Sequence, residues 1–170
     1  MDIMKLINEA AKNIPVHAEA DVLVVGSGPA GLSAAIAAAR EGVSVILCER
    51  FGCFGGVISQ VGVEAIAWYR HEVTNESGGL EFEYEERAKK MGGVKECQSD
   101  SIALDADLFK YIADEMVEEA GVRPILHCMA VEVIVEDGII KGIITESKSG
   151  RLAILAKRVI DCTGDADIAA

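Results

Sequence analysis

The sequence predicts an α/β fold in which a parallel sheet continues into a small antiparallel β-meander. Two observations predict it: a strand–helix–strand unit near the N-terminus, and a series of short strand-like runs with hairpin turns in the last third of the chain. The chain has 170 residues, of which 51% are hydrophobic, a composition that suits one globular domain. We divide it into an N-terminal helix and linker over residues 1–19 and one domain over residues 20–170.

The N-terminal elements form a βαβ unit with parallel strands. Compact apolar runs rich in valine predict buried strands, and the stretch rich in alanine, leucine and isoleucine between them predicts a helix that ends before Gly42. Apolar residues at helical spacing also predict a short amphipathic helix before Pro15. The predicted elements are a helix over 3–12, a strand over 21–25, a helix over 30–40 and a strand over 43–49.

The remaining elements change from helical to strand-like patterns along the chain. Asp105 is expected to cap a helix that runs to about Ala120, and the turns Asp137-Gly138 and Ser149-Gly150 predict hairpins. Residues 63–77 show no pattern that we can assign. The other predicted elements are a glycine-rich loop over 51–62, an acidic helix over 81–91 whose glutamates, Glu85 among them, lie on solvated faces, strands over 124–128, 131–136, 139–146, 151–156 and, buried, 158–162, and a helix that begins after Asp165.

Composition excludes several functions and suggests a cellular location. The net charge of −12 would repel phosphate backbones and anionic lipid, so nucleic acid is not expected as a partner. No apolar run approaches the roughly 20 residues that a membrane span needs. The odd number of cysteines, without the close pairs of a zinc site, is typical of a reducing cytosol. We therefore expect a cytoplasmic chain with no metal site.

The run Gly26-Ser27-Gly28-Pro29-Ala30-Gly31 is the strongest functional signal. It follows a predicted buried strand and opens a helix, as the phosphate-binding turn of a Rossmann-like, dinucleotide-binding domain does. The first glycine permits the tight turn, the second lets the backbone approach a pyrophosphate, and the third allows close packing of helix on strand. Glu49, at the end of the next predicted strand, is placed to accept hydrogen bonds from an adenosine ribose.

These residues predict a dinucleotide with an adenosine end, and two further features favour FAD over NAD. Gly55-Gly56 follows Glu49 within a loop that would lie along the phosphates. Thr163-Gly164-Asp165, after a distant strand, offers a second turn with a carboxylate for a ribityl hydroxyl, which the longer FAD needs. Asp165 acting only as the cap of a terminal helix, and the whole chain acting as an NAD-binding Rossmann domain, are the alternatives.

The order of these motifs, together with the run from Ala156 to Asp167, resembles the FAD-dependent oxidoreductase family, near the fumarate reductase and succinate dehydrogenase flavoproteins. The resemblance implies an FAD/NAD(P)-binding domain with a parallel sheet and a β-meander crossover. It also implies that Val131 contacts the adenine through its backbone. By the same resemblance the adenosine ribose is held by Glu49, the pyrophosphate by Gly28, Ala30 and Gly31, and the remaining phosphate and ribityl contacts come from Arg50, Gly55, Gly56, Thr163, Gly164 and Asp165.

Departures from that family refine the expectation. Residues 50–54 contain no histidine before the paired glycines, so the FAD is expected to be non-covalent. We expect the substrate or cap domain that the resemblance implies to be missing from these residues, and no catalytic residue can be assigned. The expected function is the FAD-binding portion of an oxidoreductase that transfers hydride between a small organic substrate and flavin N5, with a second polypeptide or a missing C-terminal region supplying the substrate domain. A non-catalytic FAD-binding or electron-transfer subunit is the alternative.

Overall fold

The computed structural model of the chain describes residues 6–66, 70–71, 75–76, 78–96 and 102–170. In chain order these residues form β1 (Val16–Val25), α1 (Pro29–Arg40), β2 (Val45–Cys48), α2 (Val57–Val61), β3 (Ala65–Ile66), β4 (Arg70–His71), β5 (Asn75–Glu76), α3 (Leu80–Lys90), β6 (Val94–Glu96), β7 (Ile102–Leu104), α4 (Ala106–Glu119), β8 (Arg123–Ile125), β9 (Met129–Glu136), β10 (Ile139–Ser147) and β11 (Gly150–Asp161).

Six of the strands form the main sheet, in the order β8-β2-β1-β11-β10-β9. The first four strands of this order pair parallel to one another, whereas β10 pairs antiparallel with both β11 and β9. This is the predicted parallel sheet with a β-meander, so the fold class is confirmed. In one smaller sheet β7 pairs with both β3 and β6, and in another β4 pairs with β5.

The β1–α1–β2 unit packs apolar residues on both faces of the sheet. Val24 and Leu47 face the side covered by α1 and α4, while Leu23 and Ile46 face the other side, and all four are fully buried. Burial of each such side chain stabilises the fold by about 1.5–3 kcal/mol. Residues 22–25 of β1 and all of β2 are therefore continuous apolar runs, as buried parallel strands require, and their carboxyl ends are fixed relative to the start of α1.

Strand β11 joins the parallel sheet to the meander. The sequence predicts two strands here, over 151–156 and 158–162, but the structure has one continuous strand that pairs with β10 up to Leu155 and with β1 as far as Asp161. The charged pair Lys157-Arg158 does not end the strand, because Lys157 Nζ lies 2.6 Å from Asp21 Oδ1 on β1. The predicted burial of the second segment is wrong, since Ile160 is 36% exposed.

The N-terminal segment differs from the prediction. Residues 6–12 form no helix, and Leu6, Ile7 and Ala10, which with Ile3 predict one, are exposed; Ile3 lies outside the described residues. A short isolated helix is only marginally stable in water. Strand β1 instead begins at Val16, within the predicted linker, since Ala153 N donates a hydrogen bond to Pro15 O at 2.9 Å and brings the chain into the sheet.

Helix α4 confirms its predicted cap, whereas three other predictions about helices need correction. Asp105 Oδ1 accepts hydrogen bonds from the amides of Asp107 at 3.0 Å and Leu108 at 2.9 Å. The predicted loop over 51–62 contains α2, Glu85 of the acidic helix is buried and paired with Lys89, and the expected helix after Asp165 is a turn. Among the described residues no helix is long and apolar enough to cross a membrane.

Candidate functional site

The turn between β1 and α1 requires glycine at two positions for steric reasons. Gly26 has φ +91°, and a Cβ there would lie 2.3 Å from the carbonyl oxygen of Cys162. A Cβ on Gly31 would lie 1.8 Å from Gly26 O. These two glycines let the turn and the first turn of α1 sit directly against the end of β11, which is the close packing that the motif predicts.

Gly28 differs, because the space beside it is open. A Cβ on Gly28 would meet only Gly56 Cα, at 4.0 Å. Gly28 is the N-cap of α1 and offers no side-chain acceptor to the first amides of the helix, while Pro29 follows it at the first helical position. The first N–H groups of a helix have no acceptor within the helix, and they carry the positive end of its dipole. This end of α1 is therefore suited to an anionic phosphate.

Glu49 is buried at the carboxyl end of β2 and is held in place by three hydrogen bonds. Its Oε2 accepts from Ser27 N at 2.8 Å and from Ser27 Oγ at 2.6 Å, and its Oε1 accepts from Phe51 N at 2.8 Å. Ser27 is fully buried. The sequence places Ser27 among the cofactor-binding residues, and the structure adds that its hydroxyl is directed to Glu49, which it orients.

Replacing Ser27 by alanine is expected to weaken FAD binding by roughly 5- to 10-fold, the equivalent of about 1 kcal/mol, because one of the three hydrogen bonds that orient Glu49 is lost. The two backbone donors remain, so the chain should fold normally. Titration of the chain with FAD, followed by flavin fluorescence, measures the effect. Ser149→Ala, at an exposed hairpin turn, is the matched control, and equal affinities of the two variants would contradict the orienting role.

Gly55 and Gly56 pack against the glycine turn between β1 and α1. Gly55 N donates to Ser27 O at 2.8 Å, and a Cβ on Gly56 would lie 2.8 Å from Gly28 Cα. Gly56 has φ +54° and begins α2. The predicted proximity of this loop to the glycine turn is thus present, with backbone packed on backbone.

Asp161, which the sequence analysis did not single out, organises the turn after β11. Its Oδ1 accepts from Thr163 N at 3.0 Å and Thr163 Oγ at 2.8 Å, and its Oδ2 accepts from Ile168 N at 2.9 Å and Ala169 N at 3.0 Å. Burial raises the pKa of Asp161, but the hydrogen bonds outweigh it and leave the pKa below its ordinary value. An aspartate two residues before a threonine is a recognisable turn signal that could have identified it.

Acid is expected to loosen this turn. Because the pKa of Asp161 is lowered in the folded chain, the carboxylate stabilises the turn fully above its unfolded value of 3.8, and this contribution is lost as the pH falls through the folded-state pKa. Asp161→Asn should lose part of the same stability at neutral pH and flatten the dependence on pH. Thermal unfolding of both chains between pH 7 and pH 3 tests this, and parallel curves would contradict it.

The residues at the carboxyl ends of β1, β2 and β11 enclose one cavity of about 370 Å³. Arg50 lies on its wall, with its guanidinium carbon 4.8 Å from the centroid of the Phe51 ring. Cys48, Cys128 and Cys162, which the sequence analysis did not place in the site, also line the cavity. The predicted site residues on its wall are Gly26, Ser27, Gly28, Pro29, Ala30, Glu49, Arg50, Gly56, Thr163 and Gly164.

Four predicted site residues lie outside this wall. Gly31 is packed under the turn, Gly55 faces Ser59, Val131 is exposed on β9, and Asp165 is exposed in the last turn. Met129 and Ala130, which precede Val131, and Asp167, two residues after Asp165, line the cavity instead. The contact of Val131 with adenine stays a prediction.

The residues present fit a dinucleotide. The open position at Gly28 leaves space beside the amides of α1 that a pyrophosphate would fit, and the Glu49 carboxylate, an acceptor for hydroxyl groups, lies on the wall of the same cavity. The turn at Thr163 lies across the same cavity, which gives a long dinucleotide a second place of contact. A parallel sheet whose strand ends carry these groups defines a Rossmann-like dinucleotide-binding protein.

The chain belongs to the FAD dependent oxidoreductase family, which it matches over residues 21–170. This match settles the choice between the two dinucleotides that the sequence left open, and the cofactor is FAD. The expected resemblance to FAD-dependent oxidoreductases is thereby confirmed.

Similar proteins include thiamine thiazole synthases. The one from Saccharolobus islandicus (strain L.S.2.15 / Lassen #1) is 28% identical over 175 residues, which cover 96% of this chain and 62% of the relative. The crystal structure of Thermovibrio ammonificans THI4 superposes with a TM-score of 0.62 at 25% identity, covering 88% of this chain and 60% of that one. The chain therefore spans 62% of the length of the curated relative.

The fold is shared more widely. A geranylgeranyl bacteriochlorophyll reductase-like protein from Thermoplasma acidophilum superposes with a TM-score of 0.62 at 22% identity, covering 84% of this chain and 38% of that one. At this identity the likeness concerns the fold alone.

Proposed function

We propose that the chain is the FAD-binding portion of an oxidoreductase that transfers hydride between a small organic substrate and flavin N5. The observation that carries the proposal is the convergence of the glycine turn, Glu49 and the Thr163 turn on one cavity. FAD supplies the redox chemistry when bound, and the chain supplies binding and orientation. A cytoplasmic location is part of the same proposal.

Each part of the cavity has a proposed role. The Glu49 carboxylate accepts hydrogen bonds from the adenosine ribose, and the amides at the start of α1, at Ala30 and Gly31, bind the pyrophosphate. Thr163 and Gly164 bring backbone groups toward the ribityl chain. Binding is non-covalent in this proposal, because residues 50–54 offer no histidine to attach the flavin.

A second polypeptide that supplies a substrate domain is the proposed partner. Val57, Val61 and Val63, on and after α2, are all at least half exposed, and the first two of them line the FAD cavity. Exposed apolar side chains beside a cofactor cavity are typical of a surface that another domain covers. Identification by mass spectrometry of a co-purifying chain with a flavoenzyme substrate domain would support this, and a monodisperse, FAD-loaded monomer of 18.0 kDa would contradict it.

The alternative, a non-catalytic electron-transfer subunit, differs in how the bound flavin accepts electrons. Hydride transfer moves two electrons together, whereas an electron-transfer subunit passes them singly. Anaerobic titration of the FAD-loaded chain with dithionite, followed by absorbance, distinguishes the two. We expect a single two-electron phase, and two separate one-electron phases would favour the alternative.

A thiamine thiazole synthase is a second candidate function, favoured by the relatives of that name that match nearly the whole chain. The test is genetic. Expression of the chain in a bacterium that lacks its own thiazole synthase should restore growth without thiazole if this candidate is right. The Gly28→Ala variant serves as the matched control and should restore growth less well, because its cofactor binding is expected to be weakened while its fold is kept.

A further inference from the structure

Two cysteines contact each other on the wall of the FAD cavity. Cys48 ends β2 directly before Glu49, and Cys128 directly precedes β9. Cys48 Sγ donates a hydrogen bond to the carbonyl oxygen of Cys128 at 3.3 Å. Both residues line the cavity, although their exposed fractions are only 1% and 5%.

Their surroundings make the two sulfur atoms chemically different. The neighbouring Cys48 side chain lowers the pKa of the Cys128 thiol, against the opposing effect of burial, and Thr145 and the nearby His17 lower it further. Cys128 and burial raise the pKa of Cys48, and the Glu49 carboxylate adds to this. Cys128 is therefore the more acidic of the two thiols, which suits it to the attacking role and Cys48 to the resolving role.

We propose that Cys48 and Cys128 are a redox modification site that peroxide converts to a disulfide. The Cys128 thiolate attacks one peroxide oxygen, so that an S–O bond forms, the O–O bond breaks and hydroxide leaves. Cys48 gives up its proton and attacks the Cys128 sulfur, which forms the S–S bond and releases the hydroxyl group as water. Two thiols and one hydrogen peroxide thus yield one disulfide and two waters, and the thiols lose the two electrons that the peroxide gains.

The position of the pair couples its oxidation to the cavity, a step that rests on the proposed function. Peroxide reaches the sulfur atoms through the cavity, because both cysteines are otherwise buried. A dinucleotide held by Glu49 would cover the neighbouring Cys48. Bound FAD is therefore expected to protect the pair from oxidation.

Treatment of the FAD-free chain with hydrogen peroxide, followed by peptide mapping, tests the site without reference to the cofactor. We expect a cross-linked peptide that joins Cys48 to Cys128, a loss of two titratable thiols and a mass decrease of about 2 Da, all reversed by dithiothreitol. Oxidation confined to other cysteines, or single sulfenic acids without the cross-link, would overturn the proposal.

Variants and FAD supply the remaining comparisons. Cys48→Ala and Cys128→Ala should each abolish the cross-link, whereas Cys53→Ala, whose Sγ instead accepts from Gln60 Nε2 at 2.7 Å, should retain it. Circular dichroism shows whether each variant is folded. If a variant is unfolded, the peptide mapping of the unmodified chain alone decides whether Cys48 and Cys128 are cross-linked. If FAD binds but does not slow the cross-linking, the coupling to the cavity is wrong while FAD binding itself stands.

Discussion

Gly31→Ala is expected to destabilise the chain by about 3 kcal/mol or more and to abolish FAD binding. The added Cβ would lie 1.8 Å from Gly26 O, and both partners belong to the backbone. The contact is relieved only if α1 moves away from the turn, which separates the helix from the ends of β1 and β11. Urea denaturation measures the loss as a lower unfolding midpoint.

The matched control for this variant is Gly78→Ala. Gly78 is exposed, and within the described part of the chain no heavy atom beyond its chain neighbours lies within 4 Å of its ideal Cβ position. The free energy of unfolding of Gly78→Ala should differ from that of the unmodified chain by no more than about 0.5 kcal/mol. An unfolding midpoint for Gly31→Ala equal to that of the control would contradict the close packing of helix on turn.

Gly28→Ala is expected to leave the fold intact and to weaken FAD binding roughly 10- to 100-fold, or about 1–3 kcal/mol. Gly28 has φ −63° and ψ −179°, which alanine adopts without strain, and its Cβ would meet only Gly56 Cα at 4.0 Å. The methyl group would instead occupy the space that we assign to the pyrophosphate. Calorimetric titration with FAD gives the affinity, and urea denaturation shows whether stability is unchanged.

The two glycine variants separate the structural from the ligand-binding role of the turn. Gly31→Ala is expected to lower stability and binding together, whereas Gly28→Ala should lower binding alone. FAD affinity of Gly28→Ala equal to that of the unmodified chain would contradict the position of the pyrophosphate. A large loss of stability in Gly28→Ala would contradict the open space beside this residue.

The parts of the fold that could be predicted are those with strong local signals. The valine-rich run up to Val25, the glycine turn and the alanine-rich helix agree on one βαβ unit, and Asp105 marks the start of α4. The strand over Val16–Ala20 and the continuity of β11 depend on pairing between segments far apart in the chain. Such pairing leaves no local pattern, and the charges of Lys157 and Arg158 indicate an interruption where none exists.

The site shows the same division. The motif predicts the glycines of the turn and the acidic residue Glu49, because dinucleotide binding requires these residue types at these positions. The hydrogen bond from Ser27 Oγ to Glu49 and the four hydrogen bonds that Asp161 accepts depend on the three-dimensional structure, and the spacing of residues in the sequence does not predict them. Cys48 is a buried residue of β2, and its contact with Cys128 joins segments that only the fold brings together.

The absorbance spectrum of the purified chain, followed by acid release and chromatography of the chromophore, tests the central claim most directly. We predict a yellow protein that releases intact FAD, because the cavity at the ends of β1, β2 and β11 binds this cofactor without a covalent bond. A colourless chain that takes up no added FAD would contradict the claim that these residues suffice for binding. Flavin that stays attached to the acid-denatured chain would contradict non-covalent binding.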